Sequence, residues 1–421
     1  MIHIINCKKN NYLKKLNNFL DKRRSEKDVN TKIVRKILKE IKKNKTKAVL
    51  KYEKKFSKNA EIKPTENKIN RAIKLLDPKV KKAIDFAYSR IFKFHSLQKP
   101  RDINYKDKYN NKLYYKFVPI ESVGIYVPAN LPSSLLMNAI PAKIAGVKKI
   151  VLANPKSNGK LDPAVLYAAK KAGIREIRSI GGAQAIGSLA YVEKVNKIVG
   201  PGNVYVARAK REVFGNVGIE GSIMGPSEIT VLADSKTNFK EVITSIIGQA
   251  EHDINSQCIL ITKDKNLIQK FNKNISKEIK NISRKNIVSK SLKKNGLILY
   301  AQSDKQIVNI INEIAPEHIE LNVSNYKKYL NKIYNAGSIC IGKYSPMAAT
   351  DYNVGTNHVL PTLGSAKFSS GLNLNDFYKK ISHITLSKKG VELIGKQAIT
   401  LAEYEELNGH AKSIKSRMRR L

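Results

Sequence analysis

Four of the seven histidines lie in the second half of the chain beside an amide or a carboxylate: Gln249-Ala250-Glu251-His252, Glu317-His318, Asn357-His358, and His410 with Glu405 upstream. Imidazole nitrogen and carboxylate oxygen are ligands that borderline divalent metals accept, and His and Glu are the side chains most readily poised for proton transfer near neutral pH. Gln249 and His252 are three apart on a segment with helical spacing, so both side chains point to one face and could reach one ion. A complete site needs a further His and a carboxylate from elsewhere, and Asp351 and His410 are the best candidates. Ala315-Pro316-Glu317-His318 ends a helical run, and its proline fixes where the next two side chains emerge. Adjacent Glu and His could divide proton transfers, one taking a substrate proton and the other activating water. The same tetrapeptide also reads as a polar surface turn.

The elements that must position these residues alternate. Short β-rich runs at 123–127, 149–153, 176–180 and 197–199 are separated by helical segments at 135–145, 164–172 and 183–190, which implies βαβ units around a parallel sheet. A second series follows, with strand-like runs at 229–233, 258–262 and 297–300 and helical runs at 239–250, 267–279 and 307–314. The expected fold is therefore α/β, with two Rossmann-like parallel-sheet domains. Helical extensions are expected at both ends, from the 3.6-residue spacing between 12 and 94 and from the stretch after 384; 99–116 reads as a polar connection. No Gly-x-Gly-x-x-Gly fingerprint joins a strand to a helix. Gly181-Gly182-Ala183-Gln184 and Gly200-Pro201-Gly202-Asn203 instead put small residues at strand-to-helix turns, where backbone N–H groups could accept a phosphate.

With 421 residues and 42% hydrophobic content the chain can fill more than one core. The net charge of +44 suggests nucleic acid at first sight. Lysines, however, are spread from Lys8 to Lys415 and outnumber arginines, so the charge reads as a compositional bias over every solvated face and no specific nucleic-acid partner is expected. Three cysteines, Cys7, Cys258 and Cys340, make neither a disulfide framework nor a zinc cluster, and Cys258 sits in an apolar run typical of a buried strand. No run of about 18 apolar residues and no signal peptide is present, so a soluble cytoplasmic protein without a membrane partner is expected.

Several motifs in register resemble the histidinol dehydrogenase family from about Val29 to the end: Val123-Gly124-Ile125-Tyr126-Val127-Pro128, Met137-Asn138-Ala139-Ile140-Pro141-Ala142-Lys143, the two glycine turns, Gly225-Pro226-Ser227-Glu228, Gln249 to His252, Ala315 to His318, and Gly355 to Thr362. The resemblance implies a zinc-dependent oxidoreductase that converts L-histidinol through L-histidinaldehyde to L-histidine in two NAD-dependent steps, the last in histidine biosynthesis. It implies zinc held by Gln249, His252, Asp351 and His410, with His318 as general base and Glu317 helping to activate water. Tyr126, Gln184 and Asn203 match positions that contact NAD. Ser227, His358 and Glu405 match positions lining the substrate pocket, which Gln249, His252, His318, Asp351 and His410 also face. The family resemblance further implies an intertwined homodimer in which the carboxy-terminal part completes the partner's site. The corresponding division is an N-terminal helical arm at 1–25, a discontinuous large domain at 26–122 and 230–372, a second α/β domain at 123–229, and a C-terminal helical tail at 373–421.

The chain departs from the family pattern in three places. The segment after Pro128 is shorter, as is Ala190 to Lys194, and Met347 stands where the family commonly has Glu. Loss of that carboxylate would remove a partner for a substrate ammonium or for the metal shell. The rival readings are a relative oxidising another polar alcohol, such as a sulfonated diol, and a basic nucleic-acid-binding protein on an enzyme scaffold. If the charge is compositional, binding to a random oligonucleotide should vanish as salt is raised; binding that persists at high salt in a filter assay would contradict it.

Overall fold

Parallel strands buried on both faces need helices on each side, and the chain supplies them twice. The computed structural model describes residues 2–24, 31–220 and 225–418. The described strands, in chain order, are β1 (His3–Asn6), β2 (Ile103–Lys106), β3 (Lys112–Pro119), β4 (Ser122–Tyr126), β5 (Lys149–Ala153), β6 (Glu176–Arg178), β7 (Lys197–Val199), β8 (Gly218–Ile219), β9 (Glu228–Ala233), β10 (Gln257–Thr262), β11 (Gly296–Tyr300), β12 (His318–Asn322), β13 (Ser338–Ile341) and β14 (Tyr378–Thr385). One parallel sheet has the order β6-β5-β4-β7-β8 and the other β1-β11-β10-β9-β12-β13. Leaving β1 aside, each sheet starts in its middle, winds one way for three strands, then reverses. The reversal falls between β4 and β7 in the first sheet and between β9 and β12 in the second, the places where open α/β sheets leave a crevice.

The expected strands and helices of both series are present, which is the two-sheet α/β fold read from the alternation. The third sheet, antiparallel in the order β14-β3-β2, was not legible. Its strands carry lysines among their apolar residues and are mostly exposed, so 99–116 looked like a polar connection. The two extensions also differ from the purely helical expectation. β1 pairs in parallel with β11 before the helix Tyr12–Arg24 begins, and β14 precedes the helices Lys388–Tyr404 and Asn408–Met418.

Each sheet has an apolar layer on both faces. Around the five-stranded sheet, one layer joins Ile84 and Ile91 to Ile125, Leu136 and Ile140, and the other joins Val34, Ile41 and Val49 to Val151, Ile186 and Val206. The helices Thr31–Ser57 and Pro78–Ser96 therefore cover the five-stranded sheet, although the sequence reading groups 26–122 with 230–372. The reading's boundary between 25 and 26 lies outside the described residues. Around the six-stranded sheet, Val231, Ile243, Leu260 and Phe271 fill one face, while Leu16, Leu232, Ile261 and Ile310 fill the other. Cys258 is buried in the first of these layers, as expected of a core residue.

At the reversal of the five-stranded sheet, Gly200 has a φ of +108°, and a Cβ built there would lie 2.1 Å from the Tyr126 carbonyl oxygen. Both the dihedral and the backbone contact demand glycine. Gly200→Ala should destabilise the protein by at least about 2 kcal/mol in denaturant unfolding. Gly215→Ala, at a φ of +93° but facing open space, should cost about 1 kcal/mol.

Candidate active site

β9 and β12 pair with His318 opposite Ile229, so the residues just before that register, Glu228 and Glu317, meet at the amino edge of the six-stranded sheet. Their contacts are reciprocal. The Glu228 N–H donates to Glu317 Oε2 (2.6 Å), and the Glu317 N–H donates to Glu228 Oε2 (3.4 Å). Both side chains are buried, and Arg23, from the helix Tyr12–Arg24, forms an ion pair with Glu228. Burial, and then the neighbouring Glu228 charge, push the Glu317 carboxyl well above the usual carboxylate range. Glu317 and His318 are thus not a surface turn. Ala315, in the left-handed region at φ 49°, closes the preceding helix, and His318 starts a buried strand.

His318 is 2% exposed, with Nδ1 lacking a hydrogen-bond partner. Its Nε2 stands 3.9 Å from Asp351 Oδ1 and 4.0 Å from Glu317 Oε1. Burial, then the neighbouring His358 and His252, depress its pKa to about 3, so the imidazole is neutral. Asp351, just past the short helix Met347–Thr350, has Oδ2 3.7 Å from His252 Nε2, and burial raises its carboxyl to about 7. His358 Nδ1 donates to the Asp351 carbonyl (2.7 Å), while its Nε2 contacts Ser134 Oγ at 3.3 Å. Burial brings the His358 pKa down to about 4. Gln249 closes the helix Phe239–Ala250, and both polar atoms of its buried amide lack a partner.

The unpartnered buried amide of Gln249 is the kind of orphaned polar group a divalent cation would satisfy, and the His252–Asp351 pair supplies nitrogen and oxygen donors of the type such a cation accepts, so the chemistry of these residues fits a metal. Among the described residues, no three His, Cys, Asp or Glu side chains of one chain close such a site. His410 and Glu405 stand apart. They lie exposed on the C-terminal hairpin, whose two helices pack chiefly on each other. Ser227 immediately precedes Glu228, and its carbonyl accepts from the Gln257 N–H.

The other half of the site belongs to the five-stranded sheet. Ser134 is in the first turn of the helix that follows β4, so the His358–Ser134 contact brings the amino edge of one sheet against the carboxyl edge of the other. Tyr126 ends β4, Gln184 lies in the first turn after Gly181, and Asn203 caps the helix Val204–Val213 with its side chain accepting from the Tyr205 and Val206 N–H groups. The Gly181 turn does not offer free donors for a phosphate, as its sequence suggests. Its Gly181 N–H is donated to Glu53 Oε1 (2.9 Å) and its Gly182 N–H to the Tyr126 hydroxyl (3.4 Å); Gln184 Nε2 also donates to Glu53 (2.8 Å).

Sequence reasoning missed Glu53, Arg23 and Glu320. Glu53 follows Val49 at i+4 and Arg23 follows Leu20 at i+3, so each is a charge on the apolar face of its helix, a signal that was available. Glu320 lies beside the Met347 departure. The Met347 side chain is buried in the core layer, and its N–H donates to Glu320 Oε1 (2.6 Å), so a carboxylate supports the Asp351 helix from β12.

Two parallel sheets, each with the 3-2-1-4-5 winding of dinucleotide-binding halves, with a buried Glu-His pair at their junction, define a dehydrogenase-like α/β enzyme. The chain belongs to the histidinol dehydrogenase family, whose model matches residues 20–418. It is 58% identical to the histidinol dehydrogenase of Pelagibacter ubique across the full length of both chains, and 46% identical to histidinol dehydrogenase 1 of Trichormus variabilis over 81% of each. The crystal structure of histidinol dehydrogenase from Elizabethkingia anophelis superposes with a TM-score of 0.92 at 35% identity, covering 99% of this chain and 98% of that one.

The depressed His358 pKa predicts a pH effect with a definite sign. Between about pH 6.5 and 4 the unfolded chain takes a proton that the folded chain refuses, so this residue's contribution to stability falls as pH falls. Metal-free wild type should lose about 1 to 2 kcal/mol more unfolding free energy than His358→Gln between pH 7 and 5, measured by denaturant titration.

Proposed function

We propose that this enzyme oxidises L-histidinol through L-histidinaldehyde to L-histidine, with zinc and NAD, in the cytoplasm. The observation that carries the reading is the buried Glu317–His318 pair beside Asp351, facing the carboxyl edge of the second sheet, in a chain of the histidinol dehydrogenase family. Gln249, His252 and Asp351 would hold zinc, with His410 from a second copy as the fourth ligand. When bound, zinc would fix the substrate through nitrogen ligation, and NAD would accept a hydride in each step.

The chain's own groups supply the proton chemistry. His318, neutral and dry, takes the hydroxyl proton at Nε2 as the first hydride leaves. Glu317 then accepts a proton from the water that adds to the aldehyde carbon, and the resulting hydrate gives up the second hydride. Glu317 is suited to that exchange because burial raises its proton affinity above that of an ordinary carboxylate. His358, held between Asp351 and Ser134, orients the pocket wall, and Ser227 lines it. Tyr126, Gln184 and Asn203 border the NAD site at the sheet reversal.

The homodimer is part of the proposal. The C-terminal hairpin exposes Leu386, Leu393, Ile394, Leu401, Tyr404 and Leu407, an apolar set suited to packing on another copy, and carries Glu405 and His410 with it. Among the described residues, no helix is long and apolar enough to cross a membrane.

Purified protein should yield about two NADH per histidinol consumed, as the two-step reaction requires. His318→Ala should lower turnover by at least about a hundredfold with zinc retained, whereas His252→Ala should lose zinc. Turnover of a different alcohol with none of histidinol would overturn the substrate.

A further inference from the structure

The N-terminal helix Tyr12–Arg24 ends against the site, although nothing in its composition marks it as more than packing. Leu16 and Leu20 enter the layer beneath the six-stranded sheet, and Arg23, one turn on, is 8% exposed. Its guanidinium forms the ion pair with Glu228 and donates to the Pro226 carbonyl, with a longer approach to the Ser227 carbonyl at 3.5 Å. Arg23 Nε also donates to the Asn255 carbonyl (3.1 Å), three residues after His252. One planar fork thus ties together the segments leading into β9 and β10 and one oxygen of Glu228. That same oxygen accepts from the Leu363 N–H (2.8 Å), and the other faces the Glu317 backbone.

Two buried carboxylates bonded to each other's backbone repel unless a charge opposes them, and Arg23 supplies that charge. Without it, Glu228 would be an uncompensated anion beside Glu317, which would then withdraw or keep a proton. We propose that Arg23 is a positioning residue for the oxidation: by pairing one guanidinium nitrogen with Glu228 while the others hold the Pro226 and Asn255 carbonyls, it keeps the Glu317 carboxyl beside His318 in the arrangement that activates water. The inference rests on the reading of Glu317 as the water-activating group. It predicts that the N-terminal helix acts on the second half of the reaction, the aldehyde step, and not on the first.

The test compares full-length, zinc-loaded Arg23→Met, Arg23→Lys and the double variant Arg23→Met/Glu228→Gln with wild type, using histidinol and histidinaldehyde as separate substrates with NAD. Arg23→Met should lower kcat for the aldehyde by about ten- to a hundredfold, with KM for NAD, zinc content and the rate of the first NADH from histidinol nearly unchanged. Arg23→Lys, which keeps the charge and loses the fork, should fall between the two. In the double variant the buried anion leaves with its cation, so at least about tenfold of the lost rate should return.

Equal loss in both half-reactions, loss of zinc, or no recovery in the double variant would reduce Arg23 to a packing role and overturn the proposal. Should Arg23→Met fail to fold, Arg23→Lys and the double variant decide by the same criteria. If wild type oxidises neither compound, the substrate reading has failed instead. Arg23 is then judged by the carboxyl carbon resonance of Glu317, assigned with Glu317→Gln. A shift in the Arg23 variants that reverts in the double variant supports the proposal, and an unmoved resonance rejects it.

Discussion

Two glutamates at the reversal of a parallel sheet hold this structure to its task. The pairing of β9 with β12 brings Glu228 and Glu317 together in a buried region, where like charges repel more strongly than in water and Arg23 opposes them. The reciprocal backbone bonds fix where both oxygens point, and the adjacent His318 has its ring position fixed by the same strand. Shifting β12 by one residue would turn Glu317 and His318 to opposite faces from those they now occupy. Much of the six-stranded sheet, with its apolar layers above and below, can be understood as the support that prevents that slip.

The second constraint is the meeting of the two sheets. Ligands of open α/β sheets bind at the carboxyl edge, and Tyr126 and the Gly200 turn occupy that edge of the five-stranded sheet. His318, with His252 and Asp351 near it, lies at the opposite, amino edge of the six-stranded sheet. His358 links the two by contacting Asp351 on one side and Ser134 on the other. On the proposed reaction, a hydride donor carbon and an acceptor ring would have to come within van der Waals distance, and this junction is where groups held by separate sheets could do so. His410 and Glu405 lie apart from this junction, exposed on the C-terminal hairpin.

Much of this was legible in the sequence because it obeys local rules. The strands of both parallel sheets that are apolar throughout, such as β9 and β10, announce themselves, as do the helices between them. β12 does not. Its five residues place a histidine and a glutamate among three others in a buried strand, so their polarity resembles a turn. The antiparallel sheet hid behind exposed lysines. Gln249, His252, Glu317 and His318 stand out by type and spacing, and Asp351 by the family resemblance, but the approach of His252, Glu317, His318 and Asp351 depends on crossovers that no short window contains. Arg23 and Glu53 could have been found as charges on apolar helix faces. Their partners, some 200 and 130 residues away, could not.

The central claim is that Glu317 and His318 divide the proton chemistry between two oxidations. The most direct measurement is a rapid-mixing count of NADH per active site from histidinol in Glu317→Gln. The account predicts one NADH at close to the wild-type rate, followed by a stalled or greatly slowed second. Two NADH per site at the wild-type rate, or loss of the first together with the second, would contradict it.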